Sequence, residues 1–101
     1  MSAVTIEVRD LTINDVTVSD DALTVDLSDG RSLSVPLGWY PRLWYGTETE
    51  RNDWRLIGKG LGIHWPQLDE DVSLEGLLLG KASNESRNSL KRWLDQRSPQ
   101  D

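Results

Sequence analysis

Cysteine and phenylalanine are absent from this chain of 101 residues, and histidine occurs once. Without cysteine there can be no disulfides, no thiolate ligands for zinc and no cysteine nucleophile. Small secreted domains often depend on disulfides, so their absence favours a cytoplasmic location. No window approaches the roughly 20 apolar residues of a membrane helix, and no basic region followed by an apolar run indicates a signal peptide. We therefore expect no membrane association.

A surplus of basic residues is missing as well. The net charge is −6, and residues 1–36 carry seven acidic and two basic side chains, whereas residues 81–101 carry three acidic and five basic ones. An acidic body repels a phosphate backbone, so direct binding of nucleic acid is not expected. A small basic protein suits such a body as a partner, and a homodimer is the alternative.

Alternation of apolar and polar residues dominates residues 16–37 and predicts half-buried antiparallel strands. Ser19-Asp20-Asp21 and Asp29-Gly30 supply the turns of two hairpins. Pro36 ends the third strand because proline cannot donate to a β-ladder. A further strand is expected over Val4 to Val8. These segments predict a meander of three or four strands.

The remainder of the chain mixes short helices and strands. Pro41 suits the first turn of a helix, and Thr47 with Glu50 forms a capping box. The segments DWRLIG and GIHW return to strand around a tight turn. Ser73 caps a helix that ends at Gly80, and the segment SNESRNSLKRWLDQR predicts a last helix.

Together these patterns predict an α+β fold. It consists of an antiparallel meander sheet of about three to five strands, short helices and a C-terminal helix. Residues 1–80 are expected to form a single α+β domain, and residues 81–101 a C-terminal helical tail.

The stretch from Gly60 to Leu78 holds the single histidine, a tryptophan beside it and three consecutive acids. One histidine with carboxylates matches no metal-ligand spacing, and the acids lack the pattern of a calcium loop. His64 with Asp69 or Asp71 could form an acid–base pair, but no serine lies in a Gly-x-Ser-x-Gly turn. We therefore predict no catalytic, metal or cofactor residues and no cofactor. The acids 69–71 are expected in a solvated loop and helix start, and a structural turn signature is formed by His64, Trp65, Asp69 and Asp71.

Aromatic and arginine side chains are dense between residues 39 and 55. Not all of the aromatic rings can be fully buried in a chain of this size, and exposed Trp, Tyr and Arg are typical anchors of protein interfaces. A tryptophan-rich core under the sheet remains the alternative. The candidate interaction surface consists of Trp39, Tyr40, Arg42, Trp44, Tyr45, Arg51, Trp54 and Arg55.

The segments LSDGRSLSVPLGWYPRL and ERNDWRLIGKGLGIHWPQLDEDVSLEGLL resemble the family of small bacterial proteins catalogued as domain of unknown function 2442. The resemblance covers roughly Val16 to Gly80 and includes the motifs DGR, PRL, IHWP and LDED in this order. It implies an α+β domain with an antiparallel sheet and no established enzymatic activity. It also implies pairing with a small protein of domain of unknown function family 4160, in gene pairs similar to toxin–antitoxin modules.

Taken together, these features predict a cytoplasmic, non-enzymatic protein-interaction module, antitoxin-like, with a small basic protein as partner. A regulatory module that is linked to DNA through a dimer or a partner is one alternative. A small hydrolase or metal-dependent enzyme centred on His64 and Asp71 is the other.

Overall fold

Two antiparallel sheets of three strands and four α-helices make up residues 10–97, the part of the chain that the computed structural model describes. The first sheet contains β1 (Ile13–Val18), β2 (Ala22–Leu27) and β3 (Ser32–Pro36), in that order. The second sheet contains β4 (Arg55–Ile57), β5 (Gly62–Trp65) and β6 (Glu70–Ser73). The helices are α1 (Pro41–Trp44), α2 (Glu48–Asn52), α3 (Leu74–Leu79) and α4 (Arg87–Arg97). The predicted antiparallel α+β fold is confirmed, with the strands divided between two sheets.

Both hairpin turns of the first sheet form where the sequence predicts them. The Ser19 hydroxyl accepts hydrogen bonds from the backbone N–H groups of Asp21 and Ala22, which fixes the first turn. In the second turn Gly30 has a φ of 95°, a conformation that glycine adopts without strain. Pro36 is the last residue of β3, as predicted. The strand expected over Val4 to Val8 lies outside the described residues.

The second sheet brings residues 70–73 into register with β5. Ile63 pairs with Leu56 on one side and with Val72 on the other, and Trp65 pairs with Glu70. The sequence prediction of a solvated loop for the acids 69–71 is therefore wrong for Glu70 and Asp71, which belong to β6. Glu70 hid the strand, because it stands where the alternation with Val72 would normally place an apolar, core-facing residue.

One continuous core joins the two sheets and α1. Its centre is Trp65, which is fully buried and whose indole N–H donates to the backbone oxygen of Arg51 at 2.9 Å. Satisfying the only polar atom of this ring removes the penalty of its burial. The other completely buried side chains of the core are Leu23, Leu37, Leu43, Ile63 and Leu68.

The helix ends agree with the sequence prediction. Thr47 accepts from the N–H of Glu50, and the Glu50 carboxylate accepts from the N–H of Thr47, which completes the capping box. The Ser73 hydroxyl accepts from the N–H of Gly76 at the start of α3. Gly80 ends α3 in the left-handed conformation, with a φ of 73°.

The last helix, α4, docks on the body through polar contacts. Arg97 donates two hydrogen bonds to the carboxylate of Glu50, at 2.7 and 2.8 Å. The guanidinium groups of Arg97 and Arg42 both stack on the Trp93 ring, with their carbons 4.5 and 5.0 Å from the ring centre. No residue of α4 is fully buried, so ion pairs, cation–π contacts and the partial packing of Trp93 against the core hold this helix.

Within residues 10–97, none of the helices has the length and apolar character that crossing a membrane requires.

Candidate functional site

A groove of about 450 Å³ lies between β6 and the segment that links α3 to α4. Residues 69–73 form one wall, residues 81–85 form the other, and Tyr40 and Arg42 also line it. This volume falls within the range of pockets that bind ligands or short peptide segments. The groove is therefore a concave surface large enough to take a ligand or a short peptide segment.

The second wall is fixed to the body by backbone groups. The Tyr40 hydroxyl donates to the carbonyl of Lys81 at 3.2 Å, and the N–H of Ser83 donates to the carbonyl of Trp39 at 2.9 Å. These bonds link residues that are more than 40 positions apart in the sequence, so they depend on the folded body. The wall at residues 81–85 is therefore held in place by the body of the protein.

Glu70 is the most unusual ionisable group of the groove. Its side chain is half-buried, and burial raises the pKa of its carboxyl to about 7, helped by the negative charges of Glu85, Asp71 and Asp69. The Arg42 guanidinium offsets part of this effect. Among residues 10–97, no hydrogen bond or ion pair satisfies the Glu70 carboxylate. A carboxyl in this state, facing a groove, is a candidate for binding a cationic group.

Arg42 joins the walls of the groove. Its Nε and Nη2 atoms donate to the Glu85 carboxylate, with the shortest distance 2.6 Å, and Nη1 donates to the carbonyl of Leu68 at 3.2 Å. The hydrogen bonds from Arg42 and Ser89 hold the pKa of the Glu85 carboxyl below its usual range. Because the Arg42 guanidinium is hydrogen-bonded to Glu85, it does not form an ion pair with Glu70.

His64 and Asp71 face each other on the open side of the second sheet. They are cross-strand neighbours, and His64 Nδ1 lies 2.5 Å from Asp71 Oδ1. Arg55 continues the same row on β4. Ser73, on the same side of β6, uses its hydroxyl to cap α3. Trp65 points to the opposite side, into the core, and Asp69 is exposed with a φ of 50° just before β6. His64 and Asp71 thus link β5 to β6, Trp65 anchors β5 in the core, and Asp69 lies in the turn that precedes β6.

The structure splits the candidate interaction surface into structural and exposed residues. Tyr40 is buried, which corrects its prediction as part of the surface, and Trp39 and Trp54 pack partly against the core. Arg51 donates to the carbonyls of Leu43 and Trp44 and, like Arg42, is largely covered.

Three residues of that surface reach solvent. Trp44 and Tyr45 retain 48% and 51% of their exposure, and Arg55 is also exposed. Trp44 and Tyr45, here called the aromatic patch, are adjacent at the C-terminal end of α1. Trp and Tyr side chains are enriched among the residues that anchor protein interfaces.

Sequence reasoning missed Glu70 and Glu85 as residues of one site. They are 15 positions apart, and Glu85 reaches the groove only because the segment after α3 folds back over Tyr40. The position of Glu70 could have indicated that its side chain is partly covered. It lies two residues before Val72, a core residue, and alternation along a strand places both side chains on the same side.

Residues 10–97 contain no cluster of side chains that forms a metal-binding site. No group of three or more His, Asp or Glu side chains is close enough there to hold a metal ion.

Comparison with known proteins identifies the family of this chain but assigns it no activity. The family model described as "Protein of unknown function (DUF2442)" matches residues 13–83. No curated protein matches the chain.

Two solved structures share the fold. A protein of unknown function from Rhodospirillum rubrum ATCC 11170 is 26% identical, with a TM-score of 0.64 over 74% of this chain and 93% of that one. An uncharacterized protein from Chromobacterium violaceum is 23% identical, with a TM-score of 0.62 over 89% of this chain and 79% of that one.

Proposed function

The chain belongs to the DUF2442 family of proteins of unknown function, and from that premise we propose that it is a non-enzymatic protein-interaction module of the cytoplasm. Its partner is a small basic protein. The proposal rests on the aromatic patch: Trp44 and Tyr45 are both about half exposed, at consecutive positions of the chain, on a protein of net charge −6. An aromatic anchor supplies affinity, and the acidic body attracts and orients a basic partner.

The surroundings of His64 support an interaction module over an enzyme. The His64–Asp71 pair lies on an open sheet face, and the nearby Ser73 hydroxyl is engaged as the cap of α3. Asp71 lines the groove but His64 does not, so the pair as a unit stabilises a hairpin and is not enclosed in a pocket that would position a substrate and exclude water. An antitoxin-like role, in which the basic partner is inhibited by this chain, is the specific form of the proposal that the family resemblance suggests.

Affinity capture with matched variants tests the proposal. The tagged chain is recovered from its native cells at moderate salt in three forms: unchanged, with Trp44→Ala and Tyr45→Ala together, and with Leu79→Ala. Leu79 is 60% exposed at the end of α3 and serves as the control for removing an exposed apolar side chain.

We expect a small basic protein in equal amount with the unchanged chain and the Leu79 variant, and its loss with the double variant. Growth inhibition by that protein alone, relieved by co-expression of this chain, would support the antitoxin-like role. Recovery of the chain alone in all three forms would contradict the interaction module.

A further inference from the structure

The outer edge of β6 is open to an additional strand. The second sheet has the order β4-β5-β6, so within the described residues β6 has a strand on one side only. An unpaired edge presents a row of N–H and C=O groups, which extended peptides use when they add a strand to a sheet. The five residues 69–73 that line the groove span about 13 Å, enough for a short extended segment.

The net negative charge of the groove favours a basic peptide segment as its occupant. The groove is lined by four carboxylates, of Asp69, Glu70, Asp71 and Glu85, against the two cations Arg42 and Lys81. A second copy that paired with β6 edge to edge would bring these acids together, which is unfavourable. A basic segment would instead face groups of opposite charge.

Glu70 is the position in the groove at which a cationic side chain of the partner would gain the most electrostatic stabilisation. Arg42, the nearest guanidinium, is committed to Glu85 by three hydrogen bonds. In the part of the chain that the structure describes, no cationic group pairs with Glu70. An incoming arginine or lysine side chain would supply the missing counter-charge in a partly desolvated place, where such a contact is stronger than on an open surface.

We propose that the groove along β6 binds an extended basic segment of the partner protein, which adds a strand to the edge of β6 and places an arginine or lysine side chain beside Glu70. This inference rests on the proposed function, because the segment belongs to the partner. It assigns a second contact, separate from the aromatic patch. The preformed wall at residues 81–85 lowers the entropy that the protein loses on binding.

A blocked peptide of sequence Thr-Arg-Arg-Arg-Thr is the probe. Its binding to the full-length, ¹⁵N-labelled chain is followed by amide chemical shifts at pH 8. We expect the shifts to concentrate at residues 69–73 and 81–85. Two further peptides separate charge from strand pairing: one carries neutral citrulline in place of arginine, and the other has methylated backbone nitrogens on the side that would face β6. Both should bind at least about tenfold more weakly.

Matched variants of the protein test the role of Glu70. Glu70→Gln should weaken binding of the arginine peptide about tenfold, while Glu48→Gln, which makes the same charge change at an exposed position of α2, should change it less than about twofold. If both variants weakened peptide binding equally, the peptide would be attracted only by the overall negative charge of the protein, and the proposed site at Glu70 would be refuted. Shifts centred on the aromatic patch, undiminished binding of the methylated peptide, or no binding at all would overturn it as well.

Three further outcomes identify a different occupant of the edge or separate the two proposals. Shifts at residues 69–73 that depend on protein concentration without any peptide would assign the edge to a second copy and contradict the inference. A captured basic partner that survives Glu70→Gln but is lost with Trp44→Ala and Tyr45→Ala would leave the proposed function intact and refute the groove as its contact. Binding of the peptide in the groove with no partner in the cell would refute the proposed function instead.

Discussion

Replacing Glu70 by glutamine should stabilise the protein at high pH and leave it unchanged at low pH. The folded protein raises the pKa of this carboxyl from 4.5 to about 7, so ionising it costs folding free energy. At about 1.4 kcal/mol per pH unit, the ceiling of this cost is about 3 kcal/mol. Because the carboxyl keeps some contact with solvent, we expect about 1–2 kcal/mol.

The sign of the pH dependence follows from the two pKa values. Below pH 4.5 the carboxyl is protonated in both the folded and the unfolded chain, and its effect on stability is neutral. As the pH rises from 4.5 to about 7 the folded form retains the proton longer, so the stability of the unchanged protein falls relative to that of Glu70→Gln. The variant has no carboxyl to ionise and avoids this loss.

Urea unfolding at pH 5, 6, 7 and 8 measures the difference, with the fluorescence of the five tryptophans as the signal. The advantage of Glu70→Gln should grow from a few tenths of a kcal/mol at pH 5 to about 1–2 kcal/mol at pH 8. Glu48→Gln is the control and should shift stability by a few tenths of a kcal/mol at every pH. A difference that is flat with pH, or that shrinks as the pH rises, would refute the reasoning about Glu70.

Two other changes test how the chain is held together. Arg97→Gln removes both hydrogen bonds to Glu50 and should expose the amides of α4 to hydrogen exchange, at a cost of about 1–2 kcal/mol; unchanged exchange would contradict the docking of this helix. The same contact lowers the pKa of Glu50 to about 2, so its stabilisation is present above pH 4.5 and should be lost as the pH falls to about 2, seen as a rise in α4 exchange. Gly60→Ala should cost more than about 1 kcal/mol in urea unfolding, because φ is +88° and the new Cβ would lie 3.0 Å from the Thr12 Cβ. Gly38→Ala, where no atom lies within 4 Å, is its control, and equal effects of the two would contradict the reasoning.

Local chemistry in the sequence determined the elements that were predicted correctly. The alternation over β2, β3 and the end of β1, with turn residues between the strands, is a signal that acts over a few positions. The capping box of Thr47 and Glu50 and the cap of Ser73 likewise act within one helical turn. Such features need no knowledge of the rest of the fold.

Contacts between distant residues account for what the sequence did not reveal. Tyr40 belongs to the core because its hydroxyl finds the carbonyl of Lys81, a partner 41 positions away. α4 docks because Arg97 reaches Glu50, 47 positions away. The division into two sheets depends on β4, which has only three residues and little periodicity of its own. The groove is formed by such distant contacts, so its residues could not be grouped from the sequence.

Native mass spectrometry of the protein released intact from its own cells at moderate salt shows whether the chain has a protein partner. The proposal of an interaction module predicts a complex that contains one small basic protein per chain and that dissociates as the salt concentration is raised, because the attraction is partly electrostatic. Detection of the chain only as a monomer or a homodimer, at low as well as moderate salt, would contradict it.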